Sequence, residues 1–101
     1  MKIALICYAG MSTSLLVNRM KKVAVEEGLA VEIEAYSASE VHDVLDDANV
    51  ILLGPQARYA LDEVNSIAAP RQIPVAVIDN VLYGTMNAKG VLDKALQLLR
   101  A

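Results

Sequence analysis

The 101 residues predict an α/β fold, an open four-stranded parallel sheet with helices on both faces. Three observations carry that expectation. Short apolar runs alternate with stretches of helical period, the pattern of repeated βα units. Hydrophobic residues make up 55% of the chain, yet it contains neither Phe nor Trp, so the core is built of Val, Leu, Ile, Ala and Met. That diet suits strands buried on both faces by covering helices. The length suits one domain over residues 1–101, large enough to bury a core with little to spare.

Lys2–Cys7 reads as the first strand, with Ile3, Ala4, Leu5 and Ile6 as its apolar centre. A helix over about 13–27 follows. Leu16, Met20, Val23 and Ala24 share one face of it, while Lys21, Lys22 and Glu26 turn to water. Gly28 ends it as a left-handed cap. Residues 31–36 alternate, with Val31, Ile33 and Ala35 opposing Glu32 and Glu34, which predicts a half-exposed strand. Ser37, Ala38, Ser39 and Glu40 have the capping-box spacing and open a short helix buried through Val41, Val44 and Leu45. Residues 49–54 form a third strand, apolar through its middle. Pro55 and Gln56 lead into a helix with Leu61, Val64, Ile67 and Ala68 inward, stopped by Pro70. The fourth strand covers 75–79, and Pro74 before it suits an edge. After a turn at Tyr83 and Gly84, Asn87 caps a last helix whose inner face is Val91, Leu92, Ala95 and Leu99.

The first and third strands are apolar on both faces and belong at the centre of the sheet. The glutamates of the second and the proline of the fourth mark edges. Right-handed crossovers then favour the order 2-1-3-4, a Rossmann-like arrangement in which the winding reverses between strands one and three. Open α/β sheets bind ligands in the crevice at that reversal, outside the carboxyl ends of the strands. Cys7 leaves the sheet there.

Charge and composition exclude several function classes. A net charge of −3, a pI near 5.0 and the lack of a basic stripe argue against nucleic-acid binding. No apolar stretch approaches the roughly 20 residues needed to cross a bilayer, so no direct membrane insertion is expected. The first apolar run is too short for a signal peptide, and a single cysteine suits a reducing compartment; the expected location is the cytoplasm. Cysteine and histidine occur once each, so no metal site and no cofactor are expected. No tethered partner is expected after Ala101, so contacts with partners are expected to be transient; a monomer is a separate expectation.

The chemistry-bearing segment is Cys7, Tyr8, Ala9, Gly10, Met11, Ser12, Thr13 and Ser14. A thiol running from a strand into a small, hydroxyl-rich turn before a helix sits where backbone N–H groups converge, and such donors favour a thiolate and cradle phosphate oxygens. Gly10 lets the backbone fold around an anion, and the small Ala9 leaves room for a partner. The bland alternative is a buried strand cysteine followed by an ordinary helix cap. A Walker loop is excluded by the missing Gly-Lys-Ser/Thr, and a dinucleotide fingerprint by the single Gly10. The loop of low-molecular-weight tyrosine phosphatases, C-x-x-x-x-x-R-S/T, is nearer, but Thr13 stands where its arginine would be. Without that bidentate guanidinium a phosphoryl group can still be held on sulfur, but its transfer to water lacks charge stabilisation. A slowly hydrolysing phosphothiol suits a carrier. A phosphatase-like hydrolase and a non-catalytic regulatory module are the alternatives.

Cys7-Tyr8-Ala9-Gly10-Met11-Ser12-Thr13-Ser14-Leu15-Leu16 closely resembles the phosphorylation loop of the cellobiose/chitobiose branch of phosphotransferase-system enzyme IIB. Leu52-Leu53-Gly54-Pro55-Gln56, then Val77-Ile78-Asp79 with Leu82-Tyr83-Gly84, follow in the family's order, so the resemblance spans the whole chain. It implies a phosphotransferase that relays a phosphoryl group from a phosphohistidine of enzyme IIA to Cys7, and from there to a sugar held by the membrane enzyme IIC. Cys7 is then the acceptor and Tyr8 through Ser14 the phosphate cradle. An apolar docking rim of Ala9, Met11 and Tyr83 would let two phosphate-bearing partners meet without a repelling carboxylate.

The remaining polar residues weigh less. His42 lies beside Asp43, Asp46 and Asp47 and reads as a solvated surface histidine. Asp79 could orient a loop or donate a proton, although capping a turn is its plainer role. Gln56 could reach the crevice and bond a phosphate or a loop carbonyl, or simply start a helix. Glu32 and Glu34 read as protection of an edge strand against aggregation.

Overall fold

A computed structural model of the chain describes residues 1–7, 11–37, 39 and 47–100, with the backbone alone for 11–13. Strand β1 covers Lys2–Cys7, β2 Glu32–Ser37, β3 Val50–Leu53 and β4 Val75–Val77. Helix α1 covers Met11–Glu26, α2 Leu61–Ala68, α3 Asn80–Gly84 and α4 Ala88–Arg100. A 3₁₀ helix over Pro55–Ala60 leads into α2, and another over Ala69–Arg71 follows it.

All strand pairs are parallel and the order is β2-β1-β3-β4, as the burial pattern predicts. The two central strands are the buried ones: β3 is buried throughout and β1 from its second residue, whereas no residue of β4 is fully buried. Alternation along them feeds two apolar layers. Ile3, Leu5, Val50 and Leu52 join Leu16, Met20, Val91 and Leu92 on the side of α1 and α4. Ala4, Ile6, Ile51 and Leu53 join Ala57, Val64 and Ala68 on the side of α2.

The caps explain where helices stop and start. Gly28 has φ +69, and α1 closes with Gly28 N–H donating to Val25 O at 3.1 Å and Leu29 N–H to Ala24 O at 2.8 Å. That is the paired bonding of a Schellman cap, which requires a left-handed residue at this place. Asn87 Oδ1 accepts from Gly90 N–H at 3.0 Å at the start of α4. Pro70 does not stop the backbone at once: one 3₁₀ turn continues through Arg71, and Gln72 then takes φ 58.

Two sequence-based expectations differ from the structure. The turn expected at Tyr83 and Gly84 is the end of helix α3, too short to leave a periodic signature. Helix α1 begins at Met11 rather than near Thr13, so Met11, Ser12, Thr13 and Ser14 belong to its first turn. The helix expected after Ser37, with Val41, His42, Asp43, Val44, Leu45 and Asp46, lies outside the described residues apart from its flank. There Ser37 ends β2, with its Oγ 2.8 Å from Ser39 Oγ.

Candidate functional site

The sheet register builds one row across its carboxyl edge. Cys7 pairs with Ser37 of β2, and Ile6 pairs with Leu53 of β3, which in turn pairs with Val77 of β4. One step on, Gly54 N–H donates to Ile6 O at 2.8 Å and Ile78 N–H to Leu53 O at 2.7 Å. Ser37, Cys7, Gly54 and Ile78 therefore line the end of the sheet in that order. Cys7 stands at the winding reversal between β1 and β3, where the order of strands places a ligand crevice.

Gly54 borders Cys7, and sequence reasoning did not single it out as a site residue. A Cβ placed on it would lie 3.6 Å from Cys7 Cβ, 3.6 Å from Ile6 O and 3.5 Å from Gln56 Oε1. The side chain of Gln56, exposed on the 3₁₀ helix over Pro55–Ala60, thus folds back over the same glycine that borders Cys7. The signal for Gly54 was present in the Leu-Leu-Gly-Pro-Gln block, but a glycine between strand and proline has an ordinary turn explanation as well.

Other candidates are placed differently from the sequence reading. Cys7 was expected to emerge into an open crevice; it is 2% exposed, the last residue of β1, still paired with Ser37 and bordered by Gly54. Tyr83 was expected on an exposed docking rim. It is only 7% exposed and packs in the layer of α1 and α4, since the helix that replaces the turn directs it inward. Asp79 takes its plainer role: its Oδ1 accepts from Val81 N–H at 2.6 Å and from Leu82 N–H at 3.4 Å, capping α3. Tyr8, Ala9 and Gly10 lie outside the described residues, as do the side chains of Met11, Ser12 and Thr13. Ser14 is exposed on α1.

Beside this row, Pro55, Arg58, Val77, Ile78, Asp79 and Asn80 enclose a cleft of about 250 Å³ between the 3₁₀ helix and the end of β4. Arg58 carries no motif in the sequence, and only the fold brings it opposite Asp79 and Asn80. Among the described residues no helix is long and apolar enough to cross a membrane.

A family model described as "PTS system, Lactose/Cellobiose specific IIB subunit" matches residues 2–94. The chain belongs to this family. It is 38% identical to the oligo-beta-mannoside-specific EIIB component of Bacillus subtilis (strain 168), an alignment covering 97% of this chain and 95% of that protein. It is 41% identical to the galactose-specific EIIB component of Lactococcus lactis subsp. cremoris (strain MG1363), covering 96% of this chain and 94% of that protein. The solution structure of a cellobiose-specific phosphotransferase IIB component from Borrelia burgdorferi superposes with a TM-score of 0.82 at 39% identity, covering 99% of this chain and 92% of that one. EIIB components of the phosphotransferase system are phosphotransferases that work with IIA and IIC partners, so the chain is a sugar phosphotransferase component.

Proposed function

We propose that the whole chain, residues 1–101, is a cytoplasmic, monomeric phosphocarrier whose acceptor is Cys7. The Cys7 thiolate attacks the phosphorus of a phosphohistidine on enzyme IIA: an S–P bond forms, the N–P bond breaks, and the imidazole leaves with the electron pair. A sugar hydroxyl bound by enzyme IIC then attacks the same phosphorus. An O–P bond forms, the thiolate departs, and the hydroxyl proton passes to a base or to water. Such transfers have loose transition states that require in-line placement and charge stabilisation more than covalent help.

The observation that carries this reading is the place of Cys7: the end of a central strand, at the winding reversal, four residues before a sixteen-residue helix begins. The first four N–H groups of a helix have no intrahelical acceptor. With Tyr8, Ala9 and Gly10, the first turn at Met11, Ser12, Thr13 and Ser14 therefore supplies the cradle, and Gln56 stands by as an auxiliary group over Gly54. Because Cys7 is 2% exposed, docking of a partner has to uncover the sulfur before transfer. The acceptor is a β-linked disaccharide of cellobiose or chitobiose type. Relatives of similar identity carry oligo-beta-mannoside, galactose and cellobiose in their names, which supports a reading in which selectivity resides in IIC.

Intact-mass analysis tests the reading. After incubation with phosphoenolpyruvate, the general phosphotransferase proteins and the matching IIA, one phosphate is expected on the wild type and none on Cys7→Ala. A phosphate that persists on Cys7→Ala overturns the acceptor. Steady turnover of an aryl phosphate without any partner would favour a hydrolase instead.

A further inference from the structure

We infer that the cleft beside the Cys7 row is a docking notch for one carboxylate of the phosphoryl-donor protein, and that Arg58 is the residue that reads it. The inference rests on the relay proposed above and adds the means by which the chain distinguishes its two partners.

The argument begins with charge. Several cations of the chain are already engaged. A hydrogen bond to Tyr36 holds the Lys2 ammonium above its ordinary pKa of 10.5, and its Nζ lies 5.3 Å from the Tyr36 ring centre. Lys89 Nζ lies 3.1 Å from Glu27 Oε2 and 3.8 Å from Asp93 Oδ2. Arg71 Nη1 donates to Ile67 O at 3.3 Å. Arg58 is exposed, and among the described residues its guanidinium has no ion pair or hydrogen bond. It lies on the turn that follows β3, at the end of the sheet where Cys7 resides.

The walls define the guest. Pro55 and Val77 flank a lining that is mainly polar, with the Arg58 guanidinium as its cation, which suits a charge-assisted pair more than an apolar guest. Asn80 adds an amide at the rim. The carboxylate of Asp79 lies in the same cleft, with Oδ1 committed to the α3 backbone. A run of acidic groups would be repelled by it. A single Asp or Glu side chain meets less of that repulsion and offsets it with the planar two-bond pair to the guanidinium.

Charge also decides which partner supplies the carboxylate. Both partners must cover the carboxyl end of the sheet, because both must reach Cys7. Cytoplasmic loops of membrane proteins carry an excess of Lys and Arg. Such a face suits this chain's net charge of −3 but opposes Arg58. The soluble donor is therefore the partner that gains from Arg58.

Purified IIA and the full-length chain test this, with the KM for phospho-IIA and kcat followed by intact mass. Arg58→Ala is expected to raise KM about tenfold, equivalent to one charge-assisted hydrogen bond, with kcat and thermal stability unchanged. The salt dependence of KM is expected to shrink, as for a lost rim charge. Arg58→Glu should be worse and Arg58→Lys intermediate, and an acid-to-lysine change on IIA should restore Arg58→Glu. Transfer from phosphorylated Arg58→Ala to sugar, in membrane vesicles bearing IIC, should be unimpaired. An unchanged KM for IIA, or an equal loss in both half-reactions, overturns the inference while leaving the relay in place. A wild type that takes no phosphate from IIA overturns both.

Discussion

Gly54 gives the sharpest test of how Cys7 is positioned. With φ −61 and ψ 154 its backbone is extended and open to any residue, so only space restricts the side chain. The three nearest atoms to an added Cβ, at 3.5 to 3.6 Å, are at ordinary contact distance. Gly54→Ala therefore fits, and stability should rise by about 0.4–1 kcal/mol through the smaller entropy of the unfolded chain. Gly54→Val is different. Its two further carbons extend about 1.5 Å beyond Cβ into a space bordered by Cys7 Cβ, Ile6 O and Gln56 Oε1. Ile6 O is held by the ladder bond to Gly54 N–H, so displacement falls on the Cys7 and Gln56 side chains. Overpacking of this kind costs about 1–3 kcal/mol. A displacement near 1 Å at the sulfur can slow transfer on the order of 10²-fold. Urea denaturation measures the first quantity and a time course of phosphate incorporation by intact mass the second. A folded Gly54→Val protein that is phosphorylated at the wild-type rate would refute the idea that this wall sets the thiol. So would loss of stability beyond about 1 kcal/mol in Gly54→Ala, since the spacing leaves room for a methyl group.

Further predictions follow from single contacts. Gly28→Ala forces a Cβ onto a residue at φ +69 and should cost about 1–2 kcal/mol in urea denaturation, although nothing lies within 4 Å of that Cβ to clash. Asp79→Ala removes the acceptor of the Val81 and Leu82 N–H groups and should cost about 0.5–2 kcal/mol; Asp79→Asn should keep most of it. Labelling of Cys7 by an aromatic disulfide should be roughly tenfold or more slower in native than in urea-unfolded protein, because the residue is buried. Equal rates would mean the sulfur is open in solution, and acceleration by IIA would mark the uncovering that docking requires.

The sheet was legible because burial on both faces writes itself into composition: Ile51, Leu52 and Leu53 without a polar break can only be a central strand, and Glu32 and Glu34 cannot. Gly28 and Asn87 were legible as caps because each acts on its own neighbours in sequence. Helix α3 was not, since five residues cannot display a helical period and Tyr83-Gly84 resembles a turn. Missing it also put Tyr83 on the surface. Of the site, the position of Cys7 in the sheet was readable from strand order, but its burial is a product of tertiary packing that no local pattern records. Arg58 was invisible for a plainer reason. Its importance arises from residues near 78, twenty positions away, which meet it only once β3 and β4 lie side by side.

The central sheet acts as a partition. Ile3 and Leu5 never share a neighbourhood with Ala4 and Ile6, although they alternate along one strand. Substitutions on opposite sides of such a septum combine nearly additively, since no side chain is common to both. The α1 and α4 layer can therefore drift in sequence with little retuning of the layer beneath Pro55 and Arg58, except through Ile78, which is anchored in the first layer and lines the recognition cleft.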